Sequence, residues 1–307
     1  MSGASGDLGV VCLGEALVDL ICPDRLSDPA EATRFEAHFG GALANVAVAT
    51  RRAGAPAALA GGCGTDDWGR FLRGRLRAEG VCLELHGELA DLPTPFAFAT
   101  LDTDGEPTFR IHGEGIDAAV AALAGSEGEV ARRAAAIAVG SNTLPAAASR
   151  DVTLAVCEAA RDAGTPVLVD PNLRPGRWRD LGEGRELCLA LARLATVLKC
   201  NLAEARWLSG DEAAGPADAA DQLCGLGPSL VVVTGGAGPV LARGACSLEV
   251  TPPAAEMVCP LGAGDVFMGT LAAGLLASGW RLDAAAPAIE AAARAAARAC
   301  GHLGAFE

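Results

Sequence analysis

At 307 residues, with 51% hydrophobic and 20% charged residues, the chain is long enough for one large α/β domain or two ordinary ones and too apolar to be disordered. Its formal net charge of −14 argues against a polynucleotide-binding face, since the arginines are scattered among acids rather than gathered into a basic patch. Eleven cysteines, with no C-x-x-C pair and no metal-ligand spacing against the histidines, predict buried reduced thiols in a cytoplasmic protein.

In chain order, Gly9 to Leu13 is a short apolar run closing on Gly14, the pattern of a buried strand. Leu17 to Ile21 is expected to continue it, with Asp19 between apolar neighbours. An acid there is either a salt-bridged core group or a ligand group, and the pattern leaves both open. No basic n-region precedes this run, and Glu15 and Asp19 interrupt it, so a signal peptide is not expected. Gly40-Gly41-Ala42-Leu43-Ala44-Asn45 opens a helix to Arg52, stopped by Gly54 and Pro56. The paired glycines allow a close backbone approach, and Asn45 lies one turn in; taken alone, this is an ordinary Gly-rich turn.

Ala57 to Gly61 is a strand candidate, followed by the loop Gly64-Thr65-Asp66-Asp67 and a helix from Trp68 to Ala78. Thr94 to Ile111 alternates with period two around a turn at Asp102-Thr103-Asp104-Gly105, which predicts a β-hairpin. Its neighbours read as alternating strand and helix, so the hairpin is assigned to a small lid. Strand-like runs then recur at Ile137 to Val139, Val167 to Val169, Val197 to Leu198 and Leu230 to Val233, with helical stretches between them. They end at Gly140-Ser141-Asn142, Asp170-Pro171-Asn172, Lys199-Cys200-Asn201 and Thr234-Gly235-Gly236. This alternation predicts a doubly wound, mostly parallel sheet flanked by helices, with ligands at the carboxyl ends of its strands.

After a β-like segment at Cys246 to Val250, Val258-Cys259-Pro260-Leu261-Gly262-Ala263-Gly264-Asp265 leads into an apolar helix over Val266 to Ala277. Two glycines and an alanine at a helix mouth leave N–H groups unshielded at the positive end of the macrodipole, an anion site. Asp265 follows at once. Backbone amides for a moving charge beside a carboxylate base are what phosphoryl transfer to a hydroxyl needs. The plain alternative is that Asp and Gly sit at this helix start for stability alone. The alanine-rich stretch from Ala284 to Cys300 carries Glu290, Arg294 and Arg298, so no membrane span is expected.

Other chemistries lose their main support. Gly62-Cys63-Gly64 and Gly236-Ala237-Gly238 do not complete G-x-G-x-x-G, and the sole lysine, Lys199, is far from any Walker-type loop. There is no nucleophile elbow, no H-E-x-x-H and no EF-hand loop.

Taken together, Gly14-Glu15-Ala16-Leu17-Val18-Asp19, Gly40-Gly41-x-x-x-Asn45-x-Ala47, Gly64-x-Asp66-x-x-Gly69, Lys199-x-Asn201-x-x-Glu204, Thr234-x-Gly236 and Gly262-Ala263-Gly264-Asp265 resemble, in order, the motifs of the PfkB (ribokinase-like) family of carbohydrate kinases. The resemblance covers nearly the whole chain. It implies a single ribokinase-like domain over residues 1–307, with a small β lid from segments of about 16–38 and 92–115. The implied reaction is ATP-dependent transfer of the γ-phosphate to a sugar hydroxyl, in which Asp265 is the base and Gly262, Ala263 and Gly264 form the anion hole. By the same resemblance, Asp19, Gly40, Gly41 and Asn45 hold the sugar. Asn201, Glu204, Thr234 and Gly236 serve the nucleotide, with Glu204 toward Mg²⁺. The lid would close over the sugar and build a homodimer.

Asp170-Pro171-Asn172-Leu173-Arg174 with Trp178 is most similar to fructokinases and 2-keto-3-deoxygluconate kinases, and brings Arg174 to the site. Fructose is therefore the leading acceptor, with a 2-keto-3-deoxy sugar acid or a ribose-like sugar second. The chain departs from the family at Cys259-Pro260, where Asp-Thr is usual and helps build a monovalent-cation site, which puts K⁺ in question. It also has His112-Gly113 where fructokinases tend to carry Tyr-Arg, and Pro239 where Gly is common. A catalytically silent sugar- or nucleotide-binding regulator on the same fold is the alternative from another class.

Overall fold

The computed structural model describes residues 6–105, 107–255 and 257–306. The two ends of the 1–307 span and position 106 of the 92–115 segment lie outside the described residues. The described residues build a nine-stranded sheet and a separate four-stranded one. In spatial order the large sheet runs Leu248–Val250, Val240–Gly244, Leu230–Thr234, Val197–Asn201, Val167–Asp170, Ala136–Gly140, Val10–Leu13, Ala57–Gly64 and His86–Leu89. All neighbours pair in parallel except Val240–Gly244, which is antiparallel to both of its partners.

Period-two side-chain geometry decides how the sheet is covered. Val10, Cys12, Ala136, Ala138, Leu230 and Val232 face one core, while Val11, Leu13, Ile137, Val139, Val231 and Val233 face the other. Both faces of each strand are apolar, so both must be covered by helices. Ala42–Arg52, Asp67–Ala78, Ala263–Ala277 and Ala286–Ala299 pack on the first face. The second takes Glu114–Ala121, Glu127–Arg133, Ala147–Asp162, Leu181–Leu194, Leu202–Ser209 and Pro216–Cys224. The doubly wound α/β architecture is as the alternation predicted.

One expectation is corrected. Leu17 to Ile21 does not continue the first strand. The chain breaks at Gly14–Ala16, and Leu17–Arg25 leaves the large sheet altogether. It becomes an inner strand of the second sheet, ordered Glu36–Gly40, Leu17–Arg25, Phe96–Leu101, Pro107–His112. The last two form the antiparallel hairpin predicted from alternation. Asp66 links the sheets: its carboxylate caps the helix start through Gly69 N–H at 2.8 Å and accepts from the Thr94 amide at 2.9 Å.

Two helices that carry site residues are held unusually close. Gly269 of Ala263–Ala277 lies where a Cβ would strike the Val46 carbonyl of Ala42–Arg52. Thr50 Oγ donates to the carbonyls of Val46 at 2.8 Å and Gly269 at 3.2 Å. The packing fixes the start of one helix relative to the start of the other.

Candidate active site

The helix Ala263–Ala277 begins at Gly262, whose φ of 79° lies in the left-handed region and whose missing side chain makes room for Ala305. The Ala263 N–H bends back to the Pro260 carbonyl at 3.3 Å, while those of Gly264 and Asp265 meet no backbone acceptor among the described residues. Of the triplet Gly262, Ala263 and Gly264, only the Ala263 N–H is spent on a backbone acceptor among the described residues, and Asp265 adds a further open donor. Donors in the first turn lack intrahelical partners for geometric reasons and favour an anion.

Asp265, in that first turn, is 7% exposed and fully engaged. One carboxylate oxygen accepts from Asn45 Nδ2 at 2.9 Å and the other from Asn172 Nδ2 at 3.0 Å. Burial, the dominant effect, pushes its pKa up to about 7; Asp170 adds to the rise, and the Asn45 bond, Arg174 and Lys199 oppose it. A carboxyl poised near neutrality is suited to taking a proton from an alcohol.

Asn45 is placed by the Gly-rich turn. Gly41, with φ of 98°, starts its helix, and a Cβ there would meet the Glu15 carbonyl at 2.6 Å. Asp19 comes from Leu17–Arg25 and lies against Gly40, where any side chain would collide with its carboxylate. Only partly covered by protein, Asp19 nonetheless sits deep in the cleft. Its pKa is pushed up to about 7 by burial first and by Asp265 next, with Arg174 pulling it down.

Asp19, Gly41, Asn45, Arg174, Gly262 and Asp265 line one open cleft. The second sheet closes it with Ala97, Phe109 and Ile111. Arg174 stacks over Phe109 at 4.9 Å from the ring centre and donates to its own loop through the carbonyls of Asn172 and Leu173 at 3.4 and 3.3 Å.

Asn201, Glu204, Thr234 and Gly236 do not line this cavity; they lie along the rim of strand ends beside it. Asn201 Oδ1 accepts from the Glu204 amide at 2.9 Å, and Glu204 Oε2 accepts from the Asn201 amide at 3.0 Å, a reciprocal helix cap. The other Glu204 oxygen accepts from the Leu173 amide at 2.7 Å. Burial raises the Glu204 pKa, Asp170 adds to the rise and Lys199 opposes it. Thr234 pairs with Asn201 in register and donates to the Cys200 carbonyl at 3.4 Å, while Gly236 is exposed with φ of 63°. Among the described residues no group of three or more His, Cys, Asp or Glu could hold a metal by itself.

Several groups in and beside the cavity were given no role from the sequence. Glu15, 2% exposed, lines the cavity and accepts from the Ala42 amide at 3.1 Å and from Asn142 Nδ2 at 2.8 Å. Asn172 holds Asp265 from a left-handed backbone, φ 44°. Asp170 and Lys199 form a buried ion pair at 2.7 Å. Their positions in the polar clusters that end the strands were the available signal.

Comparison with known proteins places the chain in a family and a fold. The family described as pfkB family carbohydrate kinase matches residues 7–306. The chain is 36% identical over 203 residues to a fructokinase-1 of Oryza sativa subsp. japonica, a match covering 66% of this chain and 62% of that protein, just under two thirds of its length. It is 33% identical over 301 residues to a fructokinase of Klebsiella pneumoniae, covering 95% of this chain and 91% of that one. The fold resembles the crystal structure of a Xylella fastidiosa fructokinase with bound ATP, with a TM-score of 0.83, 26% identity, and coverage of 98% of this chain and 94% of that one.

Proposed function

This chain belongs to the pfkB family of carbohydrate kinases, and on that premise we propose that it transfers the γ-phosphate of ATP to a hydroxyl of fructose. The observation that carries the proposal is Asp265: a buried carboxyl with a pKa near 7, held on both oxygens, in the first turn behind the open amides of Gly264 and Asp265 itself.

Asp265 takes the proton of the acceptor hydroxyl while the open amides of Gly262, Gly264 and Asp265 and the helix dipole receive charge on the migrating phosphoryl group. Asp19 and Asn45, with the backbone at Gly40 and Gly41, orient the sugar, and Phe109 and Ile111 cover it and exclude water that would otherwise take the phosphoryl group. Asn201, Thr234 and Gly236 form the shelf for the nucleotide. Mg²⁺, which neutralises phosphate charge when bound, usually keeps several waters and needs only one or two carboxylates besides the phosphates. Glu204, at the rim of strand ends beside the cavity, would be the carboxylate of such a site. At the Cys259-Pro260 departure, Cys259 is buried among Ile21, Ala99, Leu101 and Leu261, and a thiol is a poor ligand for K⁺, a hard cation; activity without K⁺ is therefore expected. Phe96, Phe98 and His112 stack on the half-buried face of the lid sheet, a surface suited to a second copy in a homodimer. All eleven cysteines are free, which fits a reducing compartment such as the cytoplasm.

One observation favours a second acceptor. Arg174 reaches the cavity without an ion pair to any carboxylate among the described residues, so it could take the carboxylate of a 2-keto-3-deoxy sugar acid. ADP release with ATP and Mg²⁺, measured against fructose, 2-keto-3-deoxygluconate and ribose with and without K⁺, decides. Fructose giving the highest kcat/KM is expected. Turnover of the keto acid alone would move the assignment to the second acceptor, and ATP and sugar binding with no ADP formed would point to a silent regulator.

A further inference from the structure

Lys199 has no role in the chemistry above, yet it is built into the floor of the site. The chain's sole lysine, it sits 5% exposed on a strand whose neighbours Leu198 and Cys200 are fully buried. Its Nζ lies 2.7 Å from Asp170 Oδ2, while Asp170 Oδ1 is buried without a partner among the described residues. The ammonium also lies so close beneath the catalytic helix that a Cβ on Gly264 would come within 2.9 Å of it. A cation at a helix N-terminus opposes the macrodipole. The arrangement concentrates positive potential where the open amides point, and that is favourable once an anion occupies the cradle.

We propose that Lys199, held in place by Asp170, is a positioning residue of the phosphotransfer site: its ammonium beneath Gly264 sets the charge at the start of the helix that carries Asp265 and matches the charge that a phosphoryl group brings there. The proposal rests on the kinase assignment. The charged groups that face Asp265 are Asp170 and Lys199 from adjacent strand ends, Arg174 from the loop that follows Asp170, and Asp19 from the second sheet. Glu204, from the neighbouring helix, acts on Lys199. Burial opposes the Lys199 charge, but Asp170, Glu204 and Asp265 outweigh it and keep the ammonium protonated. The competing explanation is a purely structural ion pair joining two strand ends.

The two partners of the pair act on Asp265 with opposite signs, and this separates the explanations. Lys199→Met removes a positive charge, so the acid limb of kcat/KM should move to higher pH, by about one to two units for charges at this range. Asp170→Asn removes a negative charge, so the limb should move to lower pH. At the plateau, Lys199→Met should lower kcat by about 100-fold, as losing one electrostatic group at a transition state does, with little change in sugar KM. Lys199→Arg should keep the limb at its wild-type position. The same shifts should appear without substrate when the Asp265 carboxyl is titrated by carbon-13 NMR in aspartate-labelled protein, its signal identified by Asp265→Asn. Limbs and titrations that stay put, or that move in the same direction in Lys199→Met and Asp170→Asn, overturn the proposal. If Lys199→Met does not fold, Asp170→Asn and Lys199→Arg decide. If the wild type phosphorylates no sugar, the kinase assignment fails on its own, and the NMR titration still judges Lys199.

Discussion

The two sheets contribute to the cleft in different ways. The large one is covered by helices on both faces, and its strand ends hold Asp170, Asn172 and Lys199 in a net that reaches Asp265. The small one is buried along only part of its surface, with Phe96, Phe98, Phe109 and Ile111 all partly exposed, and its own clusters are small, such as Leu17, Ala97 and Ile116. Rigidity follows the number of buried neighbours. The large sheet is therefore suited to hold the reacting groups still, and the small one to cover and select the acceptor.

The largest test of that division is Asp265→Asn, which keeps the shape of the side chain and removes the base. kcat/KM should fall by about three decades or more while the melting temperature stays near that of the wild type. Comparable turnover by the variant would remove Asp265 from the base role. Phe267→Ala strikes the packing under the same helix, where Phe267 is 1% exposed. Chemical denaturation should show a loss of about 3–5 kcal/mol, the usual cost of an aromatic cavity in a core. A loss no larger than that of a surface substitution would contradict the rigid role given to this side.

A pH scan of stability sharpens the comparison, because Asp19 comes from the small sheet and Asp265 from a helix packed on the large one, and both have folded-state pKa values raised to about 7. An acid that holds its proton more tightly when folded stabilises the fold fully below its unfolded pKa, and that contribution is lost as pH rises through the folded value. Stability should therefore decline by several kcal/mol between roughly pH 4 and pH 7. In Asp19→Asn combined with Asp265→Asn the decline should shrink, as read by urea midpoints at each pH; an unchanged decline assigns it to other groups. The smallest effect is expected for Phe109→Ala in the small sheet. Losing the stack with Arg174 should raise sugar KM by about fivefold, the scale of an exposed cation–π contact, and leave the melting temperature within a few degrees. A large drop in melting temperature would instead make this strand part of the load carried by the large core.

Much of the large sheet was legible because short apolar runs such as Val10–Leu13 and Leu230–Val233, each closing on a Gly or polar cluster and alternating with helical stretches, read as doubly buried strands. Gly262–Asp265 was legible because the glycines and the acid are adjacent in sequence. The apolar pattern alone ran the strand containing Asp19 on from the first strand, since the break at Gly14–Ala16 interrupts it by only three residues, whereas the family resemblance had assigned that segment to the lid. Asn172 was named only as part of a strand-end cluster, because its contact with Asp265 depends on a left-handed backbone after Pro171 that no periodicity announces. The Asp170–Lys199 pair is formed by two residues 29 positions apart, one step beyond the last registered partners Val169 and Leu198. Asn201 and Glu204 were recognised by spacing, and that spacing also serves a helix cap.

The mutual repulsion of Asp19 and Asp265 has a calorimetric consequence. Two acids that titrate close together near neutrality share protons while the cleft is empty, and a sugar that donates hydroxyl hydrogens to either one favours its ionised form. Acceptor binding near pH 7 should then expel a fraction of a proton into the medium. The apparent heat of binding would track the ionisation enthalpy of whichever buffer is chosen.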